Sequence, residues 1–209
     1  MAQKENATTA YWLDNTLYLN ITNQCSNNCF FCFKHYRSGV GGFNLKLAQE
    51  PSIQQITAEL SEVLNMRSWN EIVFCGFGEP TARLDVLLMV ARWIRGHYGS
   101  PVQIRVNTNG HGYRLNPGRD VAAELKTAGV DKVSVSLNAG DKETYMEICK
   151  PSFADAYEAV LDFICRAKKV LEVEATVVRM PEVDVSKAMA AAEKLGVKFR
   201  VREYIPCFY

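Results

Sequence analysis

The 209-residue chain lacks any run of about 18 apolar residues, so it offers no membrane-spanning helix. Its polar opening, Met1 to Thr9, lacks the basic-then-apolar order of a secretory signal. Charge of either sign is not in excess: a net charge of +1 gives no global basic field for a nucleic-acid backbone. Internal repeats, low-complexity tracts and linker-like stretches are also missing, which leaves one domain as the expectation. Together these absences predict a cytoplasmic, single-domain protein. What the chain does have is 48% hydrophobic residues, ample for a core, and seven cysteines, three of them within eight residues. Thiols that close together do not make an ordinary disulfide framework, and in a reducing compartment they point to metal or redox chemistry.

Residues 1–15 read as a loose arm and 16–209 as one core domain. Thr16 to Ile21 alternates and is rich in β-formers, which predicts a first strand. Strands are then expected at Glu71 to Cys75, Gln103 to Thr108, Lys132 to Ser136, Glu172 to Val178 and Lys198 to Glu203. Between them, helical patterns cover Ser52 to Met66, Asp85 to Tyr98, Arg119 to Ala128, Asp141 to Lys169 and Val185 to Leu195. Pro51-Ser52 and Asp85 are start signals, and Gly129 and Gly196 are stops. Strands separated by helices run parallel, because the crossover returns the chain to the same edge with right-handed sense. The expected fold class is therefore α/β, a partial (βα)6 TIM-like barrel with a parallel sheet. In such folds a site forms where the C-terminal strand ends converge.

Those ends carry the polar and glycine-rich signals. Cys25-Ser-Asn-Asn-Cys29-Phe-Phe-Cys32 supplies three thiols in a loop short enough to wrap one compact inorganic core. With no fourth cysteine nearby, a four-iron core would keep one iron open to a small chelating molecule. His35, three residues after Cys32, suits zinc instead, so a structural zinc site stays open as the alternative.

Gly76-Phe-Gly-Glu-Pro80 follows the second strand. Glycines let backbone carbonyls approach a ligand, and the Glu79 carboxylate can accept hydrogen bonds from an ammonium; the plain reading is a turn. Asn107, in Asn107-Thr-Asn-Gly110, is either a cofactor contact or part of an Asn-Gly turn. Ser136 and Asn138 lie two apart and are expected on one side, there to bind a carboxylate or ribose or to cap a helix near Asp141. Thr176 faces a cofactor or is present for β-propensity. Arg200, Arg202 and Tyr204 share a face, with Arg202 near enough to the active end to hold an anionic group, whereas Arg200 also fits a solvated edge. Cys75, Cys149 and Cys165 read as core thiols, and Cys207, beyond the last strand, as a hydrogen donor or auxiliary ligand. His97 and His111 read as structural or solvent-facing. Lys34 to Gly42 forms a mobile basic-aromatic segment, a substrate lid or a solvated loop.

Three cysteines at this spacing, with Phe31 before the third, resemble the signature of the radical SAM superfamily. The resemblance runs from Leu17 to about Tyr204 and is closest to the small subgroup associated with TatD-type deoxyribonucleases. Phe74 to Thr81, Val106 to Gly112 and Val133 to Ala139 carry it. It implies a 4Fe-4S cluster on Cys25, Cys29 and Cys32, with S-adenosyl-L-methionine chelating the open iron. It further implies Phe31 beside the adenine and Gly76, Phe77, Gly78 and Glu79 near the amino group. Asn107, Ser136, Asn138, Thr176 and Arg202 would line the remaining cofactor surface. The chemistry implied is reductive cleavage of S-adenosyl-L-methionine to methionine and a 5'-deoxyadenosyl radical that abstracts a substrate hydrogen. Oxygen sensitivity, a one-electron donor such as flavodoxin or ferredoxin, and a functional link to a TatD-type nuclease follow from the same likeness. The substrate does not. A glycyl-radical activating enzyme and a zinc-stabilised adaptor module are the competing readings.

Overall fold

The computed structural model describes residues 7–98 and 102–204. The chain opens with β1 (Ala10–Leu13) and β2 (Thr16–Leu19), followed by a small hairpin of β3 (Gly39–Val40) and β4 (Phe43–Asn44). Helix and strand then alternate through α1 (Ile53–Leu64), β5 (Glu71–Phe74), α2 (Leu84–Tyr98) and β6 (Gln103–Thr108). The order continues with α3 (Gly112–Leu115), α4 (Val121–Thr127), β7 (Lys132–Ser136), α5 (Lys142–Cys149) and α6 (Ala156–Ala167), and ends with β8 (Glu172–Arg179), α7 (Val185–Leu195) and β9 (Lys198–Glu203). The main sheet runs β1-β2-β5-β6-β7-β8-β9. Strands β2 and β5 to β9 pair in parallel, giving the six-unit open barrel, while β1 is antiparallel to β2 at one edge.

The two faces of the sheet differ in kind. Leu17, Leu19, Ile72, Phe74, Ile104, Val106, Val133, Val135, Val173, Ala175 and Val177 are buried in one continuous core with the helices. The intervening residues, which period-two alternation turns to the opposite face, include Tyr18, Arg105, Asn107, Lys132, Ser134, Glu174, Arg200 and Arg202. The sheet thus has an apolar face under helices and a polar face, and only the polar face is free for ligands.

Helix ends follow the sequence signals. Ser52 caps α1 in a capping box with Gln55, and Gly129 and Gly196 take left-handed φ values of 95° and 66° after α4 and α7. Three expectations are corrected. The arm is not loose from residue 10 onward: Ala10–Leu13 pairs with β2 through a tight turn at Asp14, where φ is 50°, and Tyr11 stacks on Tyr18 with centroids 5.0 Å apart. The helical stretch 141–169 divides into α5 and α6, because Pro151 has no backbone N–H and disfavours helix in the residue before it; Lys150 adopts φ 44°. The basic-aromatic segment holds the β3–β4 hairpin, whose turn glycines Gly41 and Gly42 have φ 60° and 84°.

Phe74 is fully buried where β5 meets the helices. Phe74→Ala is expected to lower unfolding stability by about 3–5 kcal/mol, measured as a shifted urea midpoint with little change in slope.

Candidate functional site

The cysteine loop leaves β2 and is fastened on two sides. On one side, the Glu79 N–H donates to the Gln24 carbonyl at 2.7 Å. The glycines flanking Phe77 allow this approach: a Cβ on Gly76 would lie 2.0 Å from Asn20 Oδ1, and one on Gly78 would lie 2.5 Å from the Thr22 and Gln24 carbonyls. Their bareness therefore serves contact between the turn and the stem of the loop, a cause the sequence reading had assigned to ligand approach.

On the other side, the loop runs along the end of α5. Asn28 N donates to the Cys149 carbonyl at 2.9 Å, Phe30 N to the Ile148 carbonyl at 3.3 Å, and Ser152 N to the Ser26 carbonyl at 2.9 Å. Side chains continue the seam, with Asn27 Nδ2 donating to Tyr145 Oη at 3.1 Å. Tyr145 Oη meets His111 Nε2 at 3.0 Å, and His111 Nδ1 meets Ser26 Oγ at 2.8 Å. The His111 ring thus bridges Tyr145, which accepts from Asn27, to Ser26.

Glu79 is 3% exposed, and its carboxylate accepts four hydrogen bonds. Oε1 takes Thr81 N at 3.1 Å, Thr81 Oγ1 at 2.7 Å and Thr108 Oγ1 at 2.7 Å, while Oε2 takes Asn109 N at 2.6 Å. Burial raises its pKa and these donors oppose the shift. With three donors on Oε1 and one on Oε2, this side chain rivets the β5 and β6 ends together. Oε2, with a single donor, keeps an acceptor site on the side of Asn109.

The three thiols are free. Burial and the Glu79 carboxylate push the Cys25 thiol up to about 11, although the residue itself reaches solvent. The Cys149 thiol, followed by burial, raises Cys29, and burial raises Cys32; Lys34 opposes all three shifts. Among the described residues, no three His, Cys, Asp or Glu side chains converge on a single-ion centre. A cubane offers each thiolate a separate iron, so its ligands need not meet at one point, and three cysteines serve three of its irons and leave the fourth open. Buried, unpartnered polar atoms gather at this end of the sheet: Asn23 Oδ1, Asn27 Oδ1, Asn138 Oδ1 and Arg202 Nε. The donor chemistry and these orphaned atoms fit a bound cluster with a polar ligand beside it.

Residues expected from the sequence fall into two groups. Asn107 lies on the polar face, accepting from Arg105 at 2.9 Å and bonded to the Cys75 thiol. Cys75 is accordingly a polar-face thiol and not a core one. Ser136 pairs in register with Thr176, and Thr176 with Arg200, so the three form a row on this face. Thr176 is 2% exposed, and its hydroxyl reaches the Val135 carbonyl at 3.4 Å. Asn138 does not share a side with Ser136 by alternation, because the strand ends at Ser136 and Asn138 has φ 59°. Its Nδ2 instead donates to buried Cys149 Sγ at 3.3 Å, and the α5 cap is Asp141. Phe77 is buried with Tyr11 and Leu45, its ring 5.2 Å from Phe33, so it anchors the segment after Cys32. Half-buried Phe31 packs on the main core and edge-on to Phe30 at 5.6 Å. Cys207 lies outside the described residues.

Sequence reasoning missed Asn109, Ser26, Asn27 and Tyr145. Asn109 is 7% exposed; its Nδ2 donates to Ser26 Oγ at 2.9 Å and approaches Cys25 Sγ at 3.8 Å. Its place in Thr-Asn-Gly was the available signal.

Residues 19–195 match the Radical SAM superfamily. The chain belongs to that superfamily. A Saccharolobus islandicus protein named probable GTP 3',8-cyclase is 29% identical over 185 residues, which cover 87% of this chain and 54% of the relative. A Thermococcus kodakarensis protein of the same name is 31% identical over 155 residues, covering 74% of this chain and 44% of the relative. The radical SAM chain thus spans about half the length of these curated relatives. Streptococcus suis SuiB bound to S-adenosylmethionine shares the fold at a TM-score of 0.69 and 14% identity, over 93% of this chain and 41% of SuiB.

His111 is fully buried, and burial lowers its pKa from 6.5 to about 4. Below pH 6.5 the unfolded chain binds a proton that the folded chain refuses. Stability present above pH 6.5 is therefore lost progressively down to about pH 4 and levels off below, by about 3 kcal/mol. His111→Gln is expected to flatten this slope in urea titrations at pH 7 and pH 4.5; an unchanged slope places the pH dependence elsewhere.

Proposed function

We propose that this protein is a radical SAM enzyme that holds a 4Fe-4S cluster on Cys25, Cys29 and Cys32 and binds S-adenosyl-L-methionine at the open iron. The observation that carries the reading is a loop bearing three free thiols, locked on both flanks by other side chains and backbone while the thiols form no disulfide. When bound, the cluster and S-adenosyl-L-methionine supply one-electron reductive cleavage to methionine and a 5'-deoxyadenosyl radical, which takes a hydrogen from substrate.

The chain's own residues do the positioning. Ser26, Asn27, His111 and Tyr145 hold the loop against α5, and Glu79 holds the neighbouring strand ends. Backbone carbonyls of Gly76 to Glu79 are the acceptors for the methionyl ammonium, and Phe31 is the apolar surface for adenine. Asn107, Ser136 and Thr176 supply polar contacts along the open face. A small one-electron carrier such as flavodoxin or ferredoxin delivers the electron. The name of the relatives makes GTP the first substrate to assay, and the link to a TatD-type nuclease rests on the three motifs alone.

Anaerobic reconstitution is expected to give about four irons and four sulfides per chain, with 5'-deoxyadenosine formed from S-adenosyl-L-methionine under reductant. Cys29→Ala is expected to abolish both. Retention of cluster and cleavage in that variant sinks the assignment, and stoichiometric zinc that depends on His35 would favour the adaptor module instead.

A further inference from the structure

The polar face of the sheet carries more positive than negative charge, and the imbalance is local. Arg105 is paired bidentately with Glu71 at 2.7 and 2.8 Å. Arg200 pairs with Glu174 at 2.7 Å, Lys132 with Glu174 at 3.4 Å, and Lys198 with Glu172 at 2.8 Å. Arg202 is the exception: no described carboxylate pairs with it, and its Nε is buried without a hydrogen-bond partner. It lies two residues beyond Arg200 on β9, hence on the same face and nearer the cysteine loop. Its electrostatic neighbours are Cys75, Cys29 and Cys32, so it sits between the loop and the floor of the open face.

A guanidinium nitrogen buried without an acceptor is costly, and the planar fork of the group matches a phosphate or carboxylate in two-point contact. A group left in this state calls for a ligand. The charge is also held at a cost: burial pulls the Arg202 guanidinium below its ordinary pKa. The methionyl carboxylate of S-adenosyl-L-methionine is one conceivable acceptor. Placement favours another, because the glycine turn that meets the methionyl ammonium follows β5, whereas Arg202 lies on β9, the far edge strand of the sheet.

We infer that Arg202 binds an oxyanion of the substrate, a phosphate or carboxylate group of a small polar molecule lying on the open face beneath the cysteine loop. This rests on the radical SAM reading above and names the chemical class of the substrate for that site. Ser136, Thr176 and Asn107 supply neutral hydrogen bonds on the same face, and Arg200 and Arg105 stay neutralised by their own carboxylates. Among the described arginines of this face, Arg202 is the one that no carboxylate neutralises.

The test is isothermal titration of the reconstituted protein, saturated with S-adenosyl-L-methionine, with inorganic pyrophosphate and separately with succinate. Wild type is expected to bind one anion per chain. Arg202→Gln is expected to weaken it at least tenfold, and Arg202→Lys to recover part of the loss, keeping charge without the fork. Tighter binding of pyrophosphate identifies the group as phosphate, and tighter binding of succinate as carboxylate; either supports the inference. Equal isotherms for wild type and both variants overturn it, as does wild type that binds neither anion. A loss of S-adenosyl-L-methionine affinity equal to the loss of anion affinity moves Arg202 to the cofactor's carboxylate and overturns it as well. Failure of the underlying reading shows independently, as absence of iron and sulfide from reconstituted wild type.

Discussion

A carboxylate buried at 3% exposure with four protein donors is the constraint around which the functional end of this molecule is organised. Glu79 belongs to the turn after β5, two of its donors come from Thr81 on the same turn, and the other two come from Thr108 and Asn109 at the end of β6. An unsatisfied carboxylate there would cost several kcal/mol, so the turn, the β6 end and the Asn109 side chain are held in one arrangement. Asn109 then passes the constraint on through its contact with Ser26. The Glu79 amide completes the circuit by holding the Gln24 carbonyl, one residue before the first cysteine.

The far flank of the loop depends on a different kind of bond. Between Asn27 and the end of α5 the links are backbone to backbone, and the Tyr145–His111–Ser26 chain stiffens them from inside the core. In that chain a neutral His111 ring bridges the Tyr145 hydroxyl and Ser26. Burial supplies the neutrality. The loop is thus held chiefly by residues that are not cysteines, and no disulfide has to break for its thiols to bind a metal.

How much of this was readable from sequence follows from which forces act locally. The six parallel strands, the Ser52 capping box and the glycine stops rest on short-range pattern and backbone chemistry, and the strands Gln103–Thr108, Lys132–Ser136 and Lys198–Glu203 fall where alternation put them. The β1 strand escaped because it has four residues and a turn without glycine, and it is held in place by contacts with residues far along the chain, including Glu59 on its Thr9 and Ala10 amides. The site followed the same division. Cysteine spacing is local and was legible. The duties of Glu79, Asn138 and His111 are set by partners 29, 11 and 85 residues away, which no spacing rule reaches. Asn138 shows the failure most clearly, since a period-two argument was carried two residues past the strand that justified it.

Charge is divided unevenly around the three thiols, and the division has a physical consequence. On the Cys25 side stands an anion held by four protein donors; on the Cys29 and Cys32 side stands a cation whose buried Nε has no acceptor. A carboxylate so held fixes geometry. A buried guanidinium nitrogen without an acceptor costs stability until it is met. The fold therefore invests its satisfied polar groups in holding the loop and leaves its unsatisfied ones facing the open side, which is the arrangement expected where rigidity belongs to the protein and the last hydrogen bonds belong to what it binds.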